Sequence, residues 1–172
     1  MIFLLLLTLM SNPPAAVVNT ALTFGPPTQR GEWKEIPAVI ICATAGVRRD
    51  RVQQAVDFWE SMGYNIGEVV QAEVDDFSCE RDIVLYGDIL IDVMNYTNNS
   101  DGHLGTTTTW ADKDTSEIFK AKIEIMPGWG DTERIMEHEL GHALGWRDYN
   151  QLGHLMHEEW PKGGHNTKGL KK

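Results

Sequence analysis

The stretch "HELGHALGWRD", from His138 to Asp148, combines two histidines, a glutamate and a glycine at fixed spacing near the C-terminus. His138 and His142 are four residues apart, so on an α-helix both imidazoles project from one face, about one turn apart. At that spacing two ring nitrogens can meet one ion at about 2.0–2.1 Å. Glu139 is well placed to take a proton from a metal-bound water. The stretch therefore predicts a helix that carries a zinc hydrolase site.

A third ligand has to come from the chain that follows this helix. Gly145 can adopt a positive φ and turn the chain sharply after the second histidine. Three residues later stands Asp148, whose carboxylate is an ordinary zinc ligand. We expect one catalytic zinc ion held by the two motif histidines and Asp148. His154 is the alternative third ligand, because it stands two residues before Met156 and so could also lie near the ion.

Capping and apolar periodicity independently predict a helix around the motif. Asp131 follows the glycine-rich turn "PGWG" and is a good N-cap, so we expect the helix to begin near it. Gly145 is placed to end the helix. The apolar contacts would come from Ile135, Leu140, Ala143 and Leu144.

The extended motif resembles that of the metzincin zinc metalloproteases, HExxHxxGxxH followed by a methionine turn. "HELGHALG" is most similar to the matrixin branch, and Met156 lies eight residues past Asp148, which is the matrixin spacing. The aspartate itself is similar to the third ligand of the snapalysins, a small secreted metzincin group whose segment between aspartate and methionine is longer. The specific part of the resemblance covers about residues 131–160.

This resemblance implies a fold and an activity. The fold would be an α+β domain with a mixed twisted sheet, a backing helix and an active-site helix followed by the methionine turn. Met156 would form the hydrophobic floor beneath the ligands, and Trp160 and Pro161 would help to form the wall of the substrate pocket. The activity would be that of a zinc-dependent endopeptidase, with Glu139 as general base. An edge strand near Thr106–Trp110 would pair with an extended protein or peptide substrate.

Two other classes of function share part of the motif. A non-proteolytic zinc amidase or hydrolase needs only the HExxH core, but the glycine, third ligand and methionine argue against it. A binding module whose zinc only stabilises the fold would need a fourth protein ligand such as His154. Glu139 beside the metal argues against that module. His157 is either a solvent-exposed loop histidine or a residue that binds the substrate or its oxyanion.

Upstream of the motif, hydrophobic patterns predict several strands and one further helix. The order is strand, helix, several strands and a last helix, which predicts one α+β (mixed α/β) domain. The expected helix covers residues 50–62, and the expected strands lie within residues 37–45, 66–73, 82–94 (one or two strands), 106–111 (an edge strand) and 118–127.

The N-terminus carries a short apolar run, Ile2 to Met10, followed by small residues. The run is too short to span a bilayer, which takes about 20 residues, and it suits a signal peptide. No Lys or Arg precedes it and no A-x-A site follows it. We expect a signal peptide over residues 1–21, a linker or short pro-segment over 22–35 and the catalytic domain over 36–172. The protein would then be secreted or periplasmic.

The two cysteines, Cys42 and Cys79, can be interpreted in two ways. In an exported protein an even pair can form one disulfide if its geometry allows, which the sequence does not show. The alternative is a pair of buried thiols. Neither cysteine belongs to a CxxC motif, so a cysteine-based zinc site is not expected.

The net charge of −10 argues against nucleic acid as a partner, because nucleic-acid binding needs clustered Lys and Arg. We expect a monomer without a stable membrane span. The loop "NNSDGHLG" (98–105) offers oxygen ligands for Ca²⁺, but it does not match an EF-hand loop, and an ordinary turn is the alternative.

Overall fold

The computed structural model of this chain describes residues 25–95 and 103–172. The predicted signal peptide (1–21) and most of the loop considered for calcium (98–105) lie outside these described residues. Within them, no helix has both the length and the apolar character needed to cross a membrane.

The domain is built on a mixed sheet of six strands: β1 (Glu32–Trp33), β2 (Ala38–Ile41), β3 (Val69–Gln71), β4 (Asp88–Val93), β5 (Gly105–Ala111) and β6 (Glu117–Ile125). The strand order is β1-β6-β4-β2-β3, and all of these pairs are parallel. β5 pairs antiparallel with β6 alone, so the expected edge strand is confirmed. The mixed α/β class predicted from sequence is confirmed at this level.

In the described part of the chain, three α-helices accompany the sheet: α1 (Arg49–Ser61), α2 (Phe77–Arg81) and α3 (Ile135–Ala143). α1 confirms the predicted helix over 50–62. Its buried Val52, Val56 and Trp59 pack in the main core with residues of α3 and with one face of the sheet. Trp59 Nε1 donates to the carbonyl of Glu137, and Arg51 pairs with the Glu137 carboxylate. α1 is therefore the helix that holds α3 in place.

The opposite face of the sheet carries a smaller apolar cluster of Cys42, Val84 and Leu90. Cys42 and Cys79 form a disulfide with a Cα–Cα distance of 5.5 Å, so the alternative of two buried thiols is wrong. The bond ties the end of β2 to α2. The short helix α2 was not predicted; Asp76 caps it by accepting hydrogen bonds from the backbone N–H groups of Ser78 and Cys79.

Part of the stretch 22–35, predicted as a linker or short pro-segment, packs against the turn that follows α3. Arg30 N donates to the carbonyl of Gly145, and Arg147 N donates to that of Thr28. Trp33 Nε1 donates to the carbonyl of Ala143 over 2.8 Å. Residues 28–33 thus belong to the folded domain and hold the end of the motif helix.

Candidate metal centre and active site

The N-cap of the motif helix lies three residues later than the sequence predicts. α3 starts at Ile135, and Arg134 stands at its N-cap with a φ of 70°. Asp131, the expected N-cap, instead accepts a 2.9 Å hydrogen bond from Arg48 Nε. The Asp131 carboxylate, which local capping rules assign to the helix N-terminus, is therefore engaged in a long-range ion pair with Arg48.

The end of the helix matches the prediction. α3 ends at Ala143, and Gly145 follows with a φ of 98°. A Cβ at position 145 would collide with the carbonyl oxygen of Gly31. The position needs glycine both for its backbone conformation and for the close approach of residues 28–33.

The two motif histidines are held with their Nε2 atoms facing each other. His138 Nδ1 lies 2.8 Å from the carbonyl oxygen of Leu155, and His142 Nδ1 lies 2.8 Å from that of Trp146. A carbonyl only accepts, so each Nδ1 carries the ring proton and each neutral ring leaves Nε2 as a bare lone pair. The two Nε2 atoms are 2.9 Å apart. Two lone pairs at that distance repel unless a cation or a proton lies between them.

Asp148 completes the group. Its Oδ1 lies 3.3 Å from His142 Nε2 and 3.8 Å from His138 Nε2. In a tetrahedral site with bonds of about 2.0–2.1 Å, ligand atoms are roughly 3.3 Å apart, and the observed separations bracket that value. His138, His142 and Asp148 could therefore hold a metal ion. The two Nδ1–carbonyl bonds are also the outer contacts that orient metal-binding histidines.

The pKa shifts of His138 and Asp148 favour the protonation states that bind a metal, whereas that of His142 does not. Burial lowers the pKa of His138. Burial also acts to lower the pKa of His142, but the hydrogen bond that its protonated ring donates to Asp148 and the charge of Glu139, with smaller contributions, raise it overall. The same hydrogen bond lowers the pKa of Asp148. A neutral imidazole and an ionised carboxylate are the forms that bind a metal, so an ion at this point would have to displace a proton from His142 at low pH.

Glu139 is buried beside the group, with 5% of its surface exposed. The Thr107 hydroxyl lies 2.7 Å from Glu139 Oε2, to which it donates, and 3.1 Å from the Glu139 carbonyl oxygen. A Cβ at Gly105 would lie 2.6 Å from Glu139 Oε1. Two residues of β5 thus define the space for this carboxylate. Thr107 binds it through its hydroxyl, and Gly105 leaves room for it because it has no side chain.

His154 does not join the metal-binding group. It is fully buried; its Nδ1 accepts from Met156 N, and its Nε2 lies 3.2 Å from the carbonyl oxygen of Lys168. Both ring nitrogens are therefore engaged with backbone groups, and burial lowers the pKa of the ring. The structure groups Asp148, and not His154, with the two motif histidines.

Met156 lies under the motif helix and is fully buried. A Cβ at Gly141 would lie 2.6 Å from Met156 Sδ and 2.7 Å from Cζ2 of Trp59. Met156 and Trp59 therefore both pack against Gly141, the residue without a side chain between His138 and His142. The neighbouring Leu155 supplies the carbonyl that orients His138.

The group opens into a cleft of about 1030 Å³. Leu104 to Thr107 of the β5 region form one side of it. Trp160 and Pro161, expected at the pocket wall, line the cleft together with Trp129. His157 also lines the cleft and is 5% exposed, so the reading as a solvent-exposed loop histidine is wrong. Its Nδ1 accepts from Glu159 N, which leaves the ring proton of the neutral form on Nε2.

The sequence predicts an edge strand at the substrate site but does not predict the contact of that strand with Glu139. In the run "GTTTTWA" every second residue faces the same side of the strand, and Gly105 and Thr107 share the side that meets Glu139. The element that packs against that side is distant in sequence, so no local pattern signals this contact.

The chain matches no family model and no curated protein at a significant level. Any functional proposal therefore depends on the residues of this cleft.

Proposed function

We propose that the protein is a zinc-dependent endopeptidase of the metzincin type. The observation that carries the proposal is the convergence of His138, His142 and Asp148 beside the buried carboxylate of Glu139. Mixed nitrogen and carboxylate donors in a set of three suit catalytic zinc, which takes three protein ligands and keeps a further position open.

The surroundings support a metzincin type of site. Gly145 turns the chain toward Asp148, and Met156 packs beneath the helix between the ligands. Among the described residues β5 pairs with β6 alone, and four of its residues line the cleft, so an extended peptide could add to the sheet at its other edge. The cleft is large enough for several peptide residues, which favours a peptidase over an amidase for small substrates.

The chain's own groups perform the proton transfers. A bound zinc ion would supply Lewis acidity, polarising the peptide carbonyl and lowering the pKa of water toward about 7. Glu139 takes a proton from the attacking water and delivers it to the nitrogen of the leaving amine. Thr107 holds Glu139 Oε2 by its hydroxyl and so fixes the plane of the carboxylate. His157, which lines the cleft, is our candidate donor to the substrate carbonyl oxygen through Nε2–H.

The two alternative functions differ from this proposal in what the site must contain. A zinc that only stabilises the fold needs a closed set of four protein ligands. Among the described residues the metal-binding group has three members, and the nitrogens of His154 are engaged elsewhere. An amidase would keep the metal chemistry but would not cut proteins.

The test is a digest of casein and of a peptide library by zinc-loaded protein, with a chelator control. We expect Glu139→Gln to lower kcat by about 10²- to 10⁴-fold, the usual contribution of a general base, at unchanged zinc content. Glu158→Gln, a matched amide in the same cleft, should retain activity. Loaded wild-type protein that cuts no peptide, or a Glu139→Gln protein as active as wild type, would contradict the proposal.

A further inference from the structure

The acidic side chains that line the cleft all have partners. Glu139 accepts from Thr107, and Asp148 contacts His142. Glu158 accepts a 2.8 Å hydrogen bond from the Asn150 amide. Glu159 lies 2.5 Å from the Lys162 ammonium. The negative groups of the cleft are thus engaged with metal-binding residues or with their own neighbours.

The arginines of the cleft are different. Arg30, Arg134 and Arg147 line it, and in the described part of the chain none of them forms an ion pair. Outside the cleft, Arg48 and Arg51 each pair with a carboxylate, whereas Arg49 and Arg81 form no ion pair with the described residues. What the three cleft arginines share is therefore their position, since all of them line one cleft and none is neutralised there by a carboxylate.

Arg134 has the most defined position of the three. It is half-buried at the N-terminus of α3, one turn before His138. Its guanidinium lies 5.0 Å from the centroid of the Trp160 ring, and Trp160 meets Trp129 edge-to-face. Stacking on an aromatic face fixes the plane of the guanidinium but leaves its N–H groups able to bind a carboxylate in bidentate fashion.

Arg30 and Arg147 lie at the other end of the helix. Their backbones are held together by the hydrogen bonds that join residues 28–30 to 145–147, and both side chains are exposed. α3 has nine residues and so is roughly 13 Å long, which corresponds to about four residues of an extended peptide. The arginines therefore stand on both sides of the metal-binding group, within the reach of one bound peptide.

We propose that the cleft selects anionic peptides, with Asp or Glu on each side of the scissile bond. Arg134 binds the acidic side chain at one end, and Arg30 with Arg147 binds the one at the other. This inference rests on the proposed peptidase function and adds the substrate class. The overall negative charge of the protein opposes it only weakly, because charges beyond about 8 Å are largely screened at physiological salt, whereas contacts inside a cleft are not.

The test compares peptides of one sequence that carry Glu, Gln or Lys two residues from the scissile bond on either side. We expect kcat/KM to fall about 1.5- to 5-fold from Glu to Gln at each position and further for Lys, as for partly exposed ion pairs. Arg134→Glu should reverse the preference at one position only, and Arg147→Glu should weaken it at the other. Arg81→Glu, a matched change on α2 outside the cleft, should leave both preferences intact.

A binding measurement separates this inference from the proposed function. Fluorescence anisotropy with zinc-loaded Glu139→Gln protein reports the affinity for the same three peptides without cleavage. Tighter binding of the Glu peptides, lost at one of the two positions in Arg134→Gln combined with Glu139→Gln, supports the selection of anionic peptides even if wild-type protein cuts nothing and the peptidase proposal fails. Equal affinity and equal cleavage of the three peptides would overturn it, and so would a Glu preference that persists at both positions in Arg134→Glu.

Discussion

Gly105 has no catalytic group, yet it decides where the Glu139 carboxylate can lie. A methyl group there would lie 2.6 Å from Oε1 and 2.8 Å from Cδ of that carboxylate. The strand cannot move away easily, because β5 is held along its length by β6. The side chain of Glu139 would have to move instead, and with it the hydrogen bond from Thr107.

We therefore expect Gly105→Ala to lower kcat at least about 10-fold, since a misplaced catalytic group can cost 10²-fold. The affinity for zinc should stay unchanged, because the ligands lie on α3 and in the segment beyond it. Peptidase assays and a chelator competition would measure the two effects. Gly25→Ala is the matched control, since its Cβ would meet nothing within 4 Å. A variant that loses zinc, or one that keeps full activity, would refute this role.

Much of the metal-binding group could be predicted from sequence at this scale. The spacing of His138 and His142 and the glycine before Asp148 are local patterns. They fix relative positions within one helix and the turn after it, whatever the rest of the chain does. The elimination of His154 could not be predicted. It depends on the carbonyl of Lys168, fourteen residues away, which occupies the second ring nitrogen.

At the scale of elements, capping rules placed the start of α3 too early. Asp131 satisfies every local criterion of an N-cap but lies within reach of Arg48, which stands 83 residues away in sequence. α2, in contrast, is a helix that the sequence patterns do not predict. It has only five residues, too few for a readable apolar period, although the Asp76 cap was visible in "DDFSCER".

The segment 28–33 acts as a brace for the turn after α3, and truncation should reveal it. A chain that begins at Thr28 should bind zinc as tightly as the full chain. A chain that begins at Lys34 loses β1 and the bonds to Ala143, Gly145 and Arg147. We expect its zinc affinity to fall about 10-fold or more, since outer contacts of metal sites contribute about 10- to 100-fold. Equal affinity of the two chains, measured by chelator competition, would show that the brace is dispensable.

At the scale of the whole molecule, the disulfide closes a loop of 37 residues between the end of β2 and α2. Sequence left the pairing open because it depends on an unpredicted helix that brings Cys79 to Cys42. We expect the Cys42→Ser, Cys79→Ser double variant to lose about 2–4 kcal/mol of unfolding free energy. Urea denaturation would measure the loss, and an unchanged midpoint would mean that the bond does not stabilise the fold.

Tyr64 is one of the residues that tie the C-terminal tail to the core, where Leu170 is buried. The Tyr64 hydroxyl donates to the carbonyl of Leu170 over 3.1 Å and accepts a 2.8 Å bond from Trp146 Nε1. Burial raises the pKa of this hydroxyl, so it stays protonated near neutral pH.

Tyr64→Phe would leave two buried groups, one N–H and one carbonyl, without their partner. We expect a loss of about 1–3 kcal/mol in unfolding free energy, because unsatisfied buried polar groups cost that much. Tyr86→Phe is the control, since Tyr86 is 66% exposed. Thermal and urea unfolding of the two variants would settle the matter, and equal losses in both would contradict the assigned role of the Tyr64 hydroxyl.

The proposed activity and the zinc-affinity predictions depend on one metal ion bound by His138, His142 and Asp148. Crystals grown with zinc and measured at the zinc absorption edge test that claim directly. The account predicts a single anomalous peak about 2.0–2.2 Å from both Nε2 atoms and from Oδ1 of Asp148, with no contact to His154. A peak bonded to His154, or none between the two motif histidines at saturating zinc, would contradict it.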